Sequence, residues 1–312
     1  MATGTAPASP TPLAGISKDT RLCVSLSGRP GDLGTRFHNH LHATLGLDHV
    51  YKAMTTTDIA AAVAGIRALG IRGAGISMPF KEDVIPLVDE LDASTAAIDS
   101  VNTIVNTDGH LTAHHTDYLA VAGLPASHGI APVPAVVLGS GGMAKACVAA
   151  LRTSGFGDLT VVARNDVAGP ALARAYDARW QAATGALRPG LVVNATPVGM
   201  AGGPGAEELP VPEEVVRAAA AVLDVVAVPE RTPLVRLARS LGLQVVTGTE
   251  VAALQAAEQF VLHTGVRPTP SRCARLRGLP SLREGRAWFT LSPHPGRRRG
   301  CRSSRCEARD RY

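Results

Sequence analysis

Between Ala135 and Gly155 the chain reads AVVLGSGGMAKACVAALRTSG: four apolar residues, a glycine turn, then a long alanine-rich run. This stretch constrains the fold more than any other. An apolar tetrad without alternation suits a strand buried on both faces, as in a parallel sheet, and the run behind it has helical composition. In Gly139-Ser140-Gly141-Gly142-Met143-Ala144 the first glycine allows a tight turn, and Gly141 lets the backbone approach a ligand. Ala144 lets helix and strand pack closely. The helix start supplies unpaired N–H groups and partial positive charge, which suit a pyrophosphate, so a dinucleotide site is expected here. A glycine motif alone could be an ordinary βα turn; the flanking strand and helix favour the binding site.

The alternation continues on both sides. After it come LTVVAR as a strand, a helix around Ala171 to Trp180, and the strands LVVNATPVGM and AAAVLDVV. This is the pattern of a doubly wound sheet over 131–246. VVTGTEVAALQAAEQFVLHTG then reads as a strand remnant entering an amphipathic helix over 247–266 that returns to the first unit. Residues 21–125 form that first unit: RLCVSLS as a strand, a Gly/Pro turn, a helix with a His-rich face, HVYKAMT as a strand, Thr57 as N-cap of the next helix, and GAGISM as a strand. Pro79 predicts a helix start in PFKEDVIPLVDEL, placing Lys81 near a helix N-terminus. A hairpin turns at Asn106-Thr107-Asp108-Gly109 and ends at Thr116-Asp117, before the helical YLAVAGL. A Pro-containing linker from Ala126 to Pro134 separates the two α/β units.

With 312 residues, 46% hydrophobic but only 4% aromatic, the core is aliphatic. The net charge of +5 would suggest a polyanionic partner, but it is localised: from Arg272 to Tyr312 there are 12 Arg against Glu284, Glu307 and Asp310, a net +9, so the body carries 5 − 9 = −4. Neither nucleic acid nor a membrane is the expected partner. The tail over 267–312 lacks hydrophobic periodicity and is expected to be disordered, as is the stretch 1–20; its Arg, Pro and Cys content is also what a GC-rich gene yields when read out of frame. The five cysteines show no metal-ligand spacing, so no metal is expected. Residues 1–20 lack the pattern of a secretory signal, and no apolar run approaches the roughly 20 residues that span a bilayer, so a cytoplasmic protein is the default.

An acidic residue about 20 positions beyond the glycine turn would bind ribose hydroxyls of NAD. Here the strand ends in Arg164, whose guanidinium suits a 2′-phosphate and favours NADP, although Asp166 lies close enough to favour NAD instead.

The ordered series Ser25-x-Ser27, Ser77-Met78-Pro79-Phe80-Lys81, Ser100-Val101-Asn102-Thr103, Thr116-Asp117, Gly139-x-Gly141-Gly142, Asn194-Ala195-Thr196-Pro197 and Gln255 resembles the shikimate dehydrogenase family from about Arg21 to Val266. The resemblance implies an N-terminal α/β substrate domain, a C-terminal Rossmann-type NADP-binding domain, and NADP-dependent interconversion of shikimate and 3-dehydroshikimate on the chorismate route to aromatic amino acids. It implies Lys81 and Asp117 as the catalytic pair. Ser25, Ser27, Ser77, Asn102 and Gln255 would bind a cyclic hydroxy acid. Gly139, Gly141, Gly142, Met143, Ala144, Arg164, Asn194, Thr196 and Gly248 would bind the cofactor. Oxidising a secondary alcohol requires loss of a hydride and of the hydroxyl proton, so a base must reach that oxygen. A lysine serves only if its pKa falls from about 10.4 toward neutrality, which burial and a helix N-terminus favour and a carboxylate opposes; the proton acceptor is therefore open between Lys81 and Asp117.

Three positions depart from the family pattern: Gly75 and His115 stand where Asn is usual, and Ala227 follows Asp224 without the usual tyrosine hydroxyl. These departures resemble the divergent shikimate dehydrogenase-like subgroup. Low activity on shikimate, a shift to quinate or another cyclic hydroxy acid, and a non-catalytic dinucleotide-binding module are the readings that follow. A homodimer is a possible assembly that the sequence does not decide. Replacing Arg164 with Ala is expected to raise KM for NADP and leave KM for NAD little changed; equal effects in steady-state kinetics contradict the assignment.

Overall fold

The computed structural model describes residues 15–28, 31–96 and 98–269. The stretches 1–14 and 270–312, and the expectations attached to them, lie outside those residues.

The first unit contains β1 (Arg21–Ser27), α1 (Leu33–Leu45), β2 (His49–Thr55), α2 (Ile59–Ala68), β3 (Gly73–Ile76), β4 (Glu90–Leu91), α3 (Ala93–Ala96), β5 (Thr103–Thr107), β6 (His110–His114) and α4 (Thr116–Ser127). Its sheet has the order β2-β1-β3-β5-β6-β4. The crossovers through α1 and α2 make β1 parallel to both β2 and β3. Asp108 and Gly109 both have positive φ, 52° and 89°, so the β5–β6 loop closes tightly and the hairpin joins β3 antiparallel.

The second unit contains β7 (Ala135–Leu138), α5 (Gly142–Thr153), β8 (Leu159–Val162), α6 (Ala168–Ala175), β9 (Arg179–Gln181), β10 (Leu191–Asn194), α7 (Glu213–Arg217), β11 (Ala221–Asp224), α8 (Pro233–Ser240), β12 (Gln244–Val246) and α9 (Gly248–Thr264). All its strands are parallel, in the order β12-β11-β10-β7-β8-β9. Chain direction along the sheet reverses between β7 and β10, so the loops after these two strands flank the crevice in which open α/β sheets bind ligands. The helix α9 leaves the second sheet and packs against α4, α1 and β5 of the first unit. Thr247 caps it by accepting from the Glu250 N–H, and Gly265 ends it at φ 74°.

Several local expectations are corrected. No α-helix starts at Pro79: residues 79–84 are turns leading to a short 3-10 helix, Ile85–Leu87. Pro86 lacks the N–H that a continuing helix needs, and its ring would crowd the carbonyl of Glu82. Lys81 therefore does not sit at a helix N-terminus. Asp58, not Thr57, caps α2, accepting from Ala61 N at 2.9 Å. Trp180 lies on edge strand β9 rather than in a helix, because the chain turns at Asp177 (φ 50°), and its indole donates to the Ala163 carbonyl at 3.1 Å. Order also extends past both expected limits: Thr20 bonds to Asp48 at 2.7 Å, and Arg267 pairs with Glu258 at 2.6 Å.

The inner face of α1 carries His38 and His42, both buried. His38 stacks on Tyr51 of β2 with centroids 4.2 Å apart, and His42 lies 5.3 Å from both His49 and Phe260 of α9. His263 of α9 lies 6.2 Å from His38 and packs on the backbone of Gly73, where any Cβ would overlap the ring. Burial, then mutual repulsion, lowers these imidazoles: His42 to about 4, and His38 well below its ordinary value. Burial likewise lowers His263 to about 3, against a backbone hydrogen bond that favours charge. Each is neutral in the folded protein and protonates near 6.5 when unfolded, so its stabilising contribution is whole above that pH and is lost as pH falls toward about 4 and about 3. Thermal unfolding between pH 7 and pH 4 should show a falling Tm, and His42→Leu should flatten that fall; an unchanged slope contradicts the assignment.

Candidate active site

The C-terminal ends of β1 and β3 lie side by side. Ser77 N–H donates to the Leu26 carbonyl at 3.0 Å and Gly28 N–H to the Met78 carbonyl at 3.2 Å, so the loop bearing Lys81 is tied to the strand bearing Ser25 and Ser27. Ser27 is buried, and its Oγ has no hydrogen-bond partner among the described residues. Ser77 is exposed. The Lys81 carbonyl accepts from Val101 N–H at 2.8 Å, which joins this loop to Ser100 and Asn102.

Lys81 Nζ lies 2.6 Å from Asp117 Oδ2, with side-chain exposures of 20% and 8%. Asp117 stands in the first turn of α4, where a carboxylate complements the helix N-terminus. Burial pushes its carboxyl up, but the Lys81 and His115 charges and hydrogen bonds from Lys81 and Asn102 outweigh this and hold it below its ordinary value. Asn102 is buried, and its Oδ1 accepts from Thr116 N–H at 2.7 Å, Thr116 Oγ1 at 3.1 Å and Thr103 Oγ1 at 3.0 Å. From α9, Gln255 donates to Thr116 Oγ1 at 3.0 Å and Gln259 to Thr103 Oγ1 at 3.0 Å. Gln259 Oε1 in turn accepts from the Tyr51 hydroxyl at 3.1 Å. One hydrogen-bonded chain thus runs from β2 through α9 to the residue before Asp117.

The second unit meets this corner directly. A Cβ on Gly142 would stand 3.0 Å from Ser100 Oγ and 3.8 Å from Lys81 Cδ, and Lys145 on α5 pairs with Glu82 at 2.9 Å. Gly139 has φ 104°, and a Cβ there would come within 3.1 Å of the Ala195 carbonyl, so only glycine suits it. At Gly141 no protein atom would lie within 4 Å of a Cβ, so the protein's own packing does not require glycine there. Met143 is half-buried in the first turn of α5, and Ala144 is buried beneath it. No side chain caps this helix. Arg164 is exposed just past β8, with no ion pair or hydrogen bond among the described residues.

Asn194 is fully buried, and its amide is used internally. Its Nδ2 donates to Asp224 Oδ1 at 3.0 Å and the Val198 carbonyl at 3.1 Å; its Oδ1 accepts from Thr196 Oγ1 at 2.6 Å. Asp224 also accepts from Thr232 Oγ1 at 2.5 Å; burial raises its pKa against these hydrogen bonds. Asn194 and Asp224 thus brace the loops at the sheet crevice. Gly248 lies so close to Val226 that a Cβ would overlap its carbonyl, which seats the start of α9 on the end of the second sheet.

Two of the departures acquire structural reasons. A Cβ at Gly75 would lie 2.8 Å from the Tyr51 hydroxyl and 3.0 Å from Gln259 Nε2, so these side chains fill the place of a larger residue. His115 caps α4 by accepting from Tyr118 N–H at 3.3 Å, and burial lowers it to about 4. Tyr51 and Gln259 were not foreseen as part of the site. Gln259 has a visible signal, because it lies one helical turn beyond Gln255 on an otherwise apolar face.

A two-domain α/β protein, with a Rossmann-type sheet closing on a lysine–carboxylate pair, is the class that this fold and cleft define. The model of the shikimate dehydrogenase substrate-binding domain matches residues 33–104. A shikimate dehydrogenase-like protein of Haemophilus influenzae is 47% identical over 255 residues, covering 81% of this chain and 94% of that protein. Among solved structures, a shikimate 5-dehydrogenase-like protein superposes with a TM-score of 0.80 at 46% identity, covering 83% of this chain and 97% of its own. Shikimate 5-dehydrogenase from Thermus thermophilus, in complex with NADP(H) and shikimate, gives a TM-score of 0.75 at 28% identity, covering 85% and 99%. The chain belongs to the shikimate dehydrogenase family.

Gly75→Ala should destabilise the fold by about 1–3 kcal/mol through overpacking, and Tyr51→Phe in the same chain should recover part of that loss. Urea unfolding of the two single variants and the double variant checks this; additive effects contradict the crowding.

Proposed function

We propose that the protein interconverts shikimate and 3-dehydroshikimate with NADP. The observation that carries this reading is the half-buried Lys81–Asp117 contact of 2.6 Å beside the glycine turn of the second unit. The residues present fit a dinucleotide. Gly141 has a side-chain direction free of protein, α5 begins without a side-chain cap, and Arg164 is an unengaged cation past β8 that suits a 2′-phosphate. When bound, the nicotinamide accepts the hydride from the carbinol carbon.

The chain's own residues handle everything else. The hydroxyl proton leaves to the Lys81–Asp117 pair, and proton acceptance is a property of the pair rather than of one member. With its carboxyl held low, Asp117 stays ionised at neutral pH and accepts hydrogen bonds from Lys81 and the reacting hydroxyl. Ser25, Ser27 and Ser77, at the ends of β1 and β3, hold the substrate carboxylate; the unpartnered hydroxyl of Ser27 is the strongest of the three on geometry. Asn102 and Gln255 face the ring hydroxyls from either side of Thr116. Asn194 acts by bracing the cofactor loop, since its amide is already engaged.

Replacing Lys81 with Ala should lower turnover on shikimate by about 10²–10⁴-fold, the usual size of a general acid–base contribution. Following NADP and NAD reduction over shikimate, quinate and related cyclic hydroxy acids tests the substrate; faster turnover of quinate than of shikimate contradicts the reading.

A further inference from the structure

Ser100 is fully buried, yet its Oγ has no hydrogen-bond partner among the described residues. Leaving a buried hydroxyl unpaired costs roughly 1–3 kcal/mol, so such a group calls for an explanation. Its surroundings supply one. Ser100 precedes Val101, whose N–H is bound to the Lys81 carbonyl, so the hydroxyl is fixed to the loop that carries the reactive amine. It also faces the second unit: the Cβ position of Gly142, first residue of α5, lies 3.0 Å from Ser100 Oγ and 3.8 Å from Lys81 Cδ. Ser100 is thus a donor supplied by the substrate domain at the start of the helix that would receive a pyrophosphate.

We infer that Ser100 Oγ hydrogen-bonds the nicotinamide-nucleotide half of the bound dinucleotide, on the side facing Lys81, and so gives the cofactor a direct contact with the substrate domain. This rests on the dinucleotide reading above. It explains why a buried polar side chain stands unpaired at the seam between the two units, and it gives the bound cofactor a contact with both of them.

The test is equilibrium binding of NADPH and of 2′,5′-ADP, which lacks the nicotinamide-nucleotide half, to the full chain and to Ser100→Ala, with thermal unfolding of both proteins. Loss of one neutral hydrogen bond should weaken NADPH by about 2- to 12-fold and leave 2′,5′-ADP unchanged. The Tm of the variant should stay level or rise, because an unpaired buried hydroxyl has been removed. Equal NADPH affinity in the two proteins overturns the inference, as does parallel weakening of both ligands or a fallen Tm, each of which marks a structural role. A wild-type chain that binds neither ligand instead overturns the NADP reading itself.

Discussion

The contact between Lys81 and Asp117 brings together an amine and a carboxylate from segments 36 residues apart and largely out of water. Such a pair is costly to assemble, and loss of one partner strands the other charge, so the surrounding structure must hold both ends firmly. It does so by different means. Lys81 lies on a turn pinned by backbone hydrogen bonds to β1 and to the Ser100–Asn102 segment. Asp117 is set by α4, whose start is held by His115 and by the Asn102 side chain.

The helix α9 completes the arrangement. It begins on the end of the second sheet, where Gly248 allows backbone contact with Val226, and ends among the histidines of the first unit. Between these points Gln255 and Gln259 bond to Thr116 and Thr103, so one element joins the second sheet to the corner that holds Lys81 and Asp117. The neutral His38, His42 and His263 belong to that seam, and protonating them works against it.

Much of this was legible in the sequence because it depends on local pattern. The apolar tetrads, the glycine turn, the Asp108-Gly109 hairpin and the amphipathic end of the chain all declare themselves within short windows. Lys81, Asp117 and the serines could be singled out by motif, and the structure brings the first two into contact. What the sequence hid depends on non-local contact or on competition between local signals. Pro86 removes the helix expected after Pro79, and Asp58 displaces Thr57 as a cap. The crowding of Gly75 by Tyr51 and Gln259 joins residues up to 208 positions apart, for which spacing carries no information. Asn194 shows a further limit: its amide is engaged by Asp224 and Thr196, contacts that the motif alone does not reveal.

The central claim is that an ionised carboxylate at Asp117, paired with Lys81, receives a substrate hydroxyl beside a nicotinamide. The most direct measurement is the initial rate of NADPH formation from shikimate and NADP by the full chain and by Asp117→Asn. The account predicts measurable reduction by the wild-type protein and loss of nearly all of it in the variant, which keeps the shape but not the charge. Equal rates in the two proteins, or no reduction by the wild type with shikimate, would contradict it.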